Sequence, residues 1–232
     1  MDRRRWVLIA VGAAVVVAAG VGTVLALIGD DATLETGSTL PHAAEASAVF
    51  EGVPQNGVAL GRPDAPVTLL EFVDLQCPFC RDFALQALPA LVVKHVREGR
   101  LRIELRGLAF LGSDSERGLR AAFAASQQDR MFEFVELLYY NQGAENSGWL
   151  SDELIEVAAD SVPGLDAARL QSDMDSGGVS DLVEEHAADA ERRRVTGTPG
   201  IFVGPTGGEL SRVTLTSVTD VAAIDEAIAA AS

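Results

Sequence analysis

The chain has 232 residues, enough for one or two domains with a proper buried core, and it contains only two cysteines, so a disulfide scaffold is not what holds it together. Thirty-four acids against eighteen lysines and arginines leave a formal charge of −16, which speaks against nucleic acid or an anionic membrane surface as a partner of the folded part. The acidity peaks between Glu145 and Glu191, where thirteen Asp or Glu residues meet one base, Arg169, the pattern of a solvated helical face.

In chain order, residues 1–5 (MDRRR) read as a cytoplasmic tail and 6–29 as a transmembrane anchor. No charge falls between Trp6 and Gly29, and as a helix that run reaches roughly 35 Å, enough to cross a bilayer. Arg3, Arg4 and Arg5 before it, with Asp30 and Asp31 after it, leave the N-terminus in the cytoplasm and everything beyond Gly29 outside the cell membrane. The other reading, a cleaved signal peptide, suits the run less well: it is longer than a usual h-region, and no clean small-x-small site follows. Residues 30–48 are polar and alanine-rich without an apolar period, so they read as a linker in which His42 is idle.

The folded domain is expected at 49–232. Residues 65–74 (APVTLLEFVD), bounded by the turn-like GRPDAP, predict a central buried strand. A helix from Cys77 to about Glu98 follows, which Pro89 should kink. A second strand is expected at 101–110, and from about 113 to 194 the pattern turns helical. There Met131, Phe134, Val135 and Leu138 share one face, as do Leu154, Ile155 and Ala158, with Ser151 as an N-cap. A further helix starting near Ser180 ends in Arg192, Arg193 and Arg194, which suit its negative C-terminal end. Strands at 200–204 and 209–215, joined as a hairpin through PTGG, and a helix after Asp220 complete the chain. This order describes an α/β core interrupted by an all-helical insert.

Cys77-Pro78-Phe79-Cys80 stands where the first strand meets the first helix. A sulfur at that position lies at the positive end of the helix dipole, and Pro78 occupies a first-turn site where no amide donor is missed. Cys80, three residues on, faces the same side but deeper. As a staple the pair closes too short a loop to matter. As a zinc site it lacks a second cysteine pair or a histidine pair: His95 and His186, the only histidines of the folded part, read as surface residues. Thr198-Pro199, taken alone, is an ordinary trans proline opening a strand. Glu71 interrupts an apolar run six residues before Cys77, either as a working buried acid or as half of a salt bridge to Arg102 or Arg106. Asp74 reads as a strand-end polar residue.

Together, APVTLLEFVDLQCPFC and, more than a hundred residues later, GTPGIFVG resemble the thioredoxin superfamily and its DsbA-like branch, from about Leu60 to the C-terminus. The resemblance implies a thioredoxin fold with an inserted all-helical domain, here preceded by an N-terminal transmembrane helix. It implies a protein thiol-disulfide oxidoreductase without a small-molecule cofactor or metal, with Cys77 as nucleophile and Cys80 as resolving thiol. It further implies a cis Pro199 against the active disulfide, a Thr198 backbone that pairs with the substrate chain, and Glu71 as a buried proton relay for Cys80. Its partners would be cysteine-containing exported polypeptides and a quinone-linked membrane reoxidase of the DsbB or vitamin K epoxide reductase kind. The related strong oxidants often carry histidine where Phe79 stands, so a milder oxidant is expected. Two alternatives stay open, a reductase or isomerase of the same fold and a non-catalytic tethered module that holds clients.

Overall fold

The computed structural model describes residues 38–232. The expected cytoplasmic tail at 1–5, the anchor at 6–29 and the linker residues 30–37 lie outside the described residues. Among the described residues no helix is long and apolar enough to cross a membrane.

The elements in chain order are α1 (Ala43–Phe50), β1 (Gln55–Asn56), β2 (Ala59–Leu60) and β3 (Val67–Val73), then α2, a helical run built from Pro78–Asp82, Phe83–Ala87, Leu88–Leu91 and Val92–Val96. After β4 (Leu101–Gly107) come α3 (Ser113–Ser126), α4 (Met131–Tyr140), α5 (Asp152–Ser161), α6 (Ala167–Asp173) and α7 (Gly177–Arg192). The chain closes with β5 (Gly200–Pro205), β6 (Ser211–Arg212) and α8 (Val221–Ala231).

One mixed sheet in the order β1-β2-β4-β3-β5-β6 carries the fold. β3 is its centre, parallel to β4 with Glu71 opposite Leu105 and antiparallel to β5 with Glu71 opposite Ile201. All seven residues of β3 are buried, as a strand covered on both faces requires. Val67, Leu69 and Val73 join the large core with the helices, whereas Leu70 and Phe72 join a smaller cluster with Phe202, Leu108 and Val195 on the opposite face. Each such side chain contributes about 1.5–3 kcal/mol relative to exposure. β4 alternates instead: Leu101, Ile103 and Leu105 are buried, and Arg102, Glu104 and Arg106 stand half-buried on the other side.

Between β4 and β5 the chain is helical, from Ser113 at the start of α3 to Arg192 at the end of α7. Ser151 caps α5 by accepting a hydrogen bond from the Leu154 amide at 3.2 Å, and Ser176, four residues before the expected start of α7, caps that helix by accepting from the Val179 amide. Arg192 and Arg193 both pair with Asp189, and Arg193 also lies over the Phe202 ring. α6 has no periodic signature and was not expected. Around Pro89 the structure inserts π turns: the Leu88 amide bonds five residues back, to Phe83, which opens the helix just ahead of the proline ring.

Several expectations need correction. The end of the expected linker is no tether, since α1 begins at Ala43 and buries Ala46 and Phe50, the latter against Phe132 with ring centroids 5.7 Å apart. Its alanines favour a helix, and one short apolar stripe suffices to dock it on α4. His42 stacks on Tyr140 at 4.9 Å. The strand expected at 209–215 is reduced to Ser211–Arg212, and the β1–β2 hairpin is too short to leave a periodic trace. Neither folded histidine is a surface residue. His95 is buried against α8 with its Nε2 2.6 Å from Asp225. His186 accepts a hydrogen bond from the Gly107 amide at 3.2 Å and meets the Phe123 ring edge-on, where burial, then Arg106, drives it down to about 3 and keeps it neutral.

Candidate active site

β3 ends at Val73, and Asp74, Leu75 and Gln76 carry the chain to Cys77 at the N-terminus of α2. Cys77 is the N-cap, extended at φ −73° and ψ 118°, and Pro78 occupies the first turn. The turn is held from below. The Cys77 amide donates to the Asp74 carbonyl at 3.0 Å. The Asp74 carboxylate, fully buried, accepts from the Gln76 amide, the Ser115 hydroxyl and the amides of Phe110 and Leu111 at 2.6–3.1 Å. It is thus the post of the loop and more than a strand-end polar residue. Gln142 adds a brace from the insert, donating to the Leu75 and Cys77 carbonyls at 2.8 and 3.2 Å.

The two thiols, unbridged here, lie in opposite environments. Cys77 is lowered to about 6, chiefly because the Cys80 thiol donates to its sulfur; burial opposes this, and the Thr198 hydroxyl with the amides of Cys80 and Phe79 supplies further donors. Cys80 has no exposed surface, and burial first, then the Cys77 charge, pushes it well above the ordinary thiol range. At neutral pH Cys77 is therefore the thiolate that attacks or leaves, and Cys80 keeps its proton until a base takes it.

Opposite the pair, the Thr198–Pro199 peptide bond is cis. The Thr198 carbonyl lies 3.4 Å from the Cys77 sulfur. Both residues are half-buried, and with Phe79, Ile201, Leu215 and Val218 they line a groove of about 590 Å³. Phe79 is 58% exposed and offers that groove an apolar wall beside Cys77.

Glu71 is 2% exposed and lies under this site. It alternates with Leu70 and Phe72, so it shares the helix-covered face of β3 with Leu69 and Val73. Arg102 and Arg106 project from the other face and pair with Glu104 at 3.0 and 2.9 Å, which removes the salt-bridge reading of Glu71. Burial pushes Glu71 up to about 8, with repulsion from Glu136 adding to it. Tyr139, fully buried on α4, donates to the Asp74 carbonyl at 3.3 Å.

The sequence reading missed Gln76, Gln142, Tyr139 and Glu136. For Glu136 a signal existed: Met131–Tyr140 is apolar almost all round, which marks a helix buried on every side, and an acid within it shares that burial.

A dithiol of opposed proton affinities at a helix N-terminus, faced by an X-Pro carbonyl across a thioredoxin-type sheet, defines a thiol-disulfide oxidoreductase. The chain belongs to the thioredoxin family, whose model matches residues 54–212, and it is a thiol-disulfide oxidoreductase. It is 28% identical over 148 residues to the probable disulfide bond formation protein D of Bacillus cereus, covering 62% of this chain and 68% of that one. Among solved structures it resembles BdbD from Bacillus subtilis in the oxidised form, with a TM-score of 0.65 and 23% identity over 77% of this chain and 96% of that one, a likeness of fold. A thioredoxin-like oxidoreductase from Silicibacter pomeroyi superposes with a TM-score of 0.56 at 29% identity, over 79% of this chain and 96% of that one.

Proposed function

We propose that the chain is a membrane-anchored, extracytoplasmic disulfide oxidase that introduces disulfide bonds into exported polypeptides through the Cys77–Cys80 couple. The observation that carries the oxidising direction is the stabilised Cys77 thiolate, set by donors from Cys80, Thr198 and the first helical turn. Whatever stabilises that thiolate stabilises the reduced enzyme, and a couple with a stabilised reduced form draws electrons from its clients.

The steps follow from the two sulfurs. A client thiolate attacks Cys77 of the Cys77–Cys80 disulfide; the client–Cys77 bond forms, the bond to Cys80 breaks, and Cys80 leaves with the electron pair and takes up a proton. A second client thiolate then attacks the client sulfur of the mixed disulfide. Cys77 leaves as the thiolate its surroundings favour, the client gains a disulfide, and the enzyme holds two electrons. During this exchange an extended client segment lies in the groove along Phe79 and Pro199, and the Thr198 backbone is placed to pair with it in strand fashion. A membrane reoxidase linked to quinone, of the DsbB or vitamin K epoxide reductase kind, removes the electrons.

The name of the Bacillus cereus relative, a probable disulfide bond formation protein, favours the oxidase over a reductase or isomerase of the same fold. The anchor at 6–29, the cytoplasmic tail at 1–5 and the outside location rest on the uncharged run Trp6–Gly29 between Arg3–Arg5 and Asp30–Asp31. A topology reporter fused after Ser232 should be active only outside the cytoplasm; activity confined to the cytoplasm contradicts the placement. Equilibration of Cys77–Cys80 with glutathione buffers tests the direction. The oxidase reading expects the enzyme to become reduced in buffers that leave thioredoxin-like reductants oxidised, and a couple as reducing as theirs overturns it.

A further inference from the structure

The segment that carries the Thr198–Pro199 bond starts from a concentration of positive charge, in a chain whose formal charge is −16. Asp189 of α7 is shared by three guanidinium groups, those of Arg192 and Arg193 at 3.1 Å and that of Arg106 at 3.7 Å. The negative end of α7 and this carboxylate account for Arg192 and Arg193. They do not account for Arg194 and Arg212. Neither of these pairs with a carboxylate among the described residues, although the exposed Glu191 and Glu209 each stand three residues before one of them.

Both arginines are fixed where they stand. Arg212 lies opposite Phe202 in the β5–β6 pair; its guanidinium is 4.7 Å from the centroid of that ring and donates to the Arg194 carbonyl at 3.1 Å. Arg193 lies over the same ring at 5.3 Å, so two cations share one buried phenylalanine and the third arginine is tied to them through its carbonyl. Arg194 itself closes α7 at φ 54°, with its amide on the Glu191 carbonyl at 3.0 Å and the Val195 amide on the Ala190 carbonyl at 2.9 Å. Glycine takes that left-handed position with least strain. An exposed arginine occupies it at a conformational cost.

From Arg194 the chain runs through Val195, Thr196, Gly197 and Thr198 into the cis bond. Thr196 and Gly197 are exposed, and the amides of Thr196, Gly197 and Thr198 make no hydrogen bond among the described residues. A client that pairs with the Thr198 backbone lies along this segment, whose four residues from Arg194 to Thr198 span about 13 Å when extended. Arg212 borders the same groove as Thr198 and Pro199. The client residue that reaches the two arginines therefore stands about three to five places from the cysteine bonded to Cys77.

We propose that Arg194 and Arg212 are specificity-determining residues: they select clients that carry an Asp or Glu about three to five residues from the exchanging cysteine. The proposal rests on the exchange reading of Cys77–Cys80 given above and adds to it the class of client. The forked N–H donors of a guanidinium match a carboxylate in shape as well as charge. Because the site is exposed, solvent and salt hold the two pairings to a modest preference, about threefold to tenfold in rate. The rest of this acidic chain repels such a segment, so the patch also sets which part of the client approaches.

The test measures, by rapid quench and alkylation, how fast an excess of single-cysteine peptide reduces the Cys77–Cys80 disulfide of the full chain. The peptides carry Glu, Gln or Lys at about three to five places before or after the cysteine, and each rate is divided by that of the same peptide on a small disulfide, which removes the peptide's own thiol reactivity. The parent should react about threefold to tenfold faster with Glu than with Gln peptides on one side of the cysteine, and the ratio should shrink toward one in ~0.5 M salt. Arg194→Gln with Arg212→Gln should abolish the ratio, Arg194→Lys with Arg212→Lys should keep most of it, and Arg194→Glu with Arg212→Glu should turn the preference to Lys peptides. A parent indifferent to charge on both sides of the cysteine, or a preference that survives in the glutamine variant, overturns the inference. Should replacing Arg212 over Phe202 prevent folding, Arg194→Glu alone, at an exposed position, carries the reversal. A parent whose disulfide no peptide reduces overturns the exchange reading and this inference with it, whereas a parent that exchanges without preference overturns this inference alone.

Discussion

The groove side and the core side of the Cys77–Cys80 pair differ more than any other two adjoining regions of the molecule. On the groove side, the Cys77 sulfur is met by the Thr198 hydroxyl and the free amides of a helix start, donors that favour its thiolate. On the core side, Cys80 has no exposed surface, and the buried Glu71, Glu136 and Tyr139 are all kept protonated by burial. Three residues of helix thus separate a place that favours a negative charge from one that forbids it. An apolar core alone would raise both thiols, and an open helix end alone would lower whichever thiol it reached. The boundary between them gives one sulfur to attack or leave and another to wait.

Removing Cys80 should break the contrast most. Cys80→Ala deletes the largest donor to the Cys77 sulfur, and hydrogen bonds to charged groups are worth about 1.5–3 kcal/mol, so Cys77 should rise by ~1–2 pH units. The same variant should accumulate mixed disulfides with client thiols on non-reducing gels. A Cys77 titration unchanged from the parent shows that the helix start alone sets the thiolate.

The redox states should differ next in how stability follows pH. In the reduced protein Cys77 is depressed from its unfolded value to about 6, so its contribution is complete above the unfolded thiol pKa and is lost as pH falls through 6. Glu71 and Glu136 are raised to about 8, so their contribution is complete below the unfolded carboxyl value and is lost as pH rises through 8. Only the first of these titrates with redox state. Denaturant unfolding of both forms from pH 6 to 9 should show the reduced protein gaining on the oxidised one as pH rises; parallel curves contradict the assignment.

The groove side can be sharpened by a smaller change. Thr198→Val keeps the carbonyl and the shape but removes the hydroxyl donor, and should raise Cys77 by ~0.5–1 pH unit in a thiolate absorbance titration. No shift leaves the hydroxyl without a role. Phe79→His should act least, because the site is 58% exposed and solvent screens a new donor or charge there. Cys77 should fall by roughly half a pH unit or less, and the glutathione equilibrium should move toward the reduced enzyme. A fall of Cys77 in Thr198→Val, or a rise in Phe79→His, reverses the sign the account requires.

What the sequence made legible lies on the groove side. Cys77-Pro78-Phe79-Cys80 is contiguous, Thr198-Pro199 opens a strand, and the chemistry of each can be read from residue type and position. The strands β3, β4 and β5 announce themselves by apolar runs, and α4, α5 and α7 by spacing or caps. The core side was less legible, because it is assembled from separate elements. Glu71 stood out in a strand, but which face it takes, and therefore whether Arg102 can reach it, depends on sheet register. Glu136 and Tyr139 come from a helix sixty residues on, and His186 and Asp74 look like surface polar residues until the insert closes over them. α1 and the two-residue strands β1 and β2 are too short or too plain to leave a pattern, and their burial is a tertiary outcome.

Thiolate absorbance of the reduced protein, followed against pH, tests the central claim most directly. A single thiolate should appear with a midpoint near 6, with the second thiol silent until well into the alkaline range. Two thiols ionising together near the free-cysteine value of about 8.5 contradict the division of roles between Cys77 and Cys80.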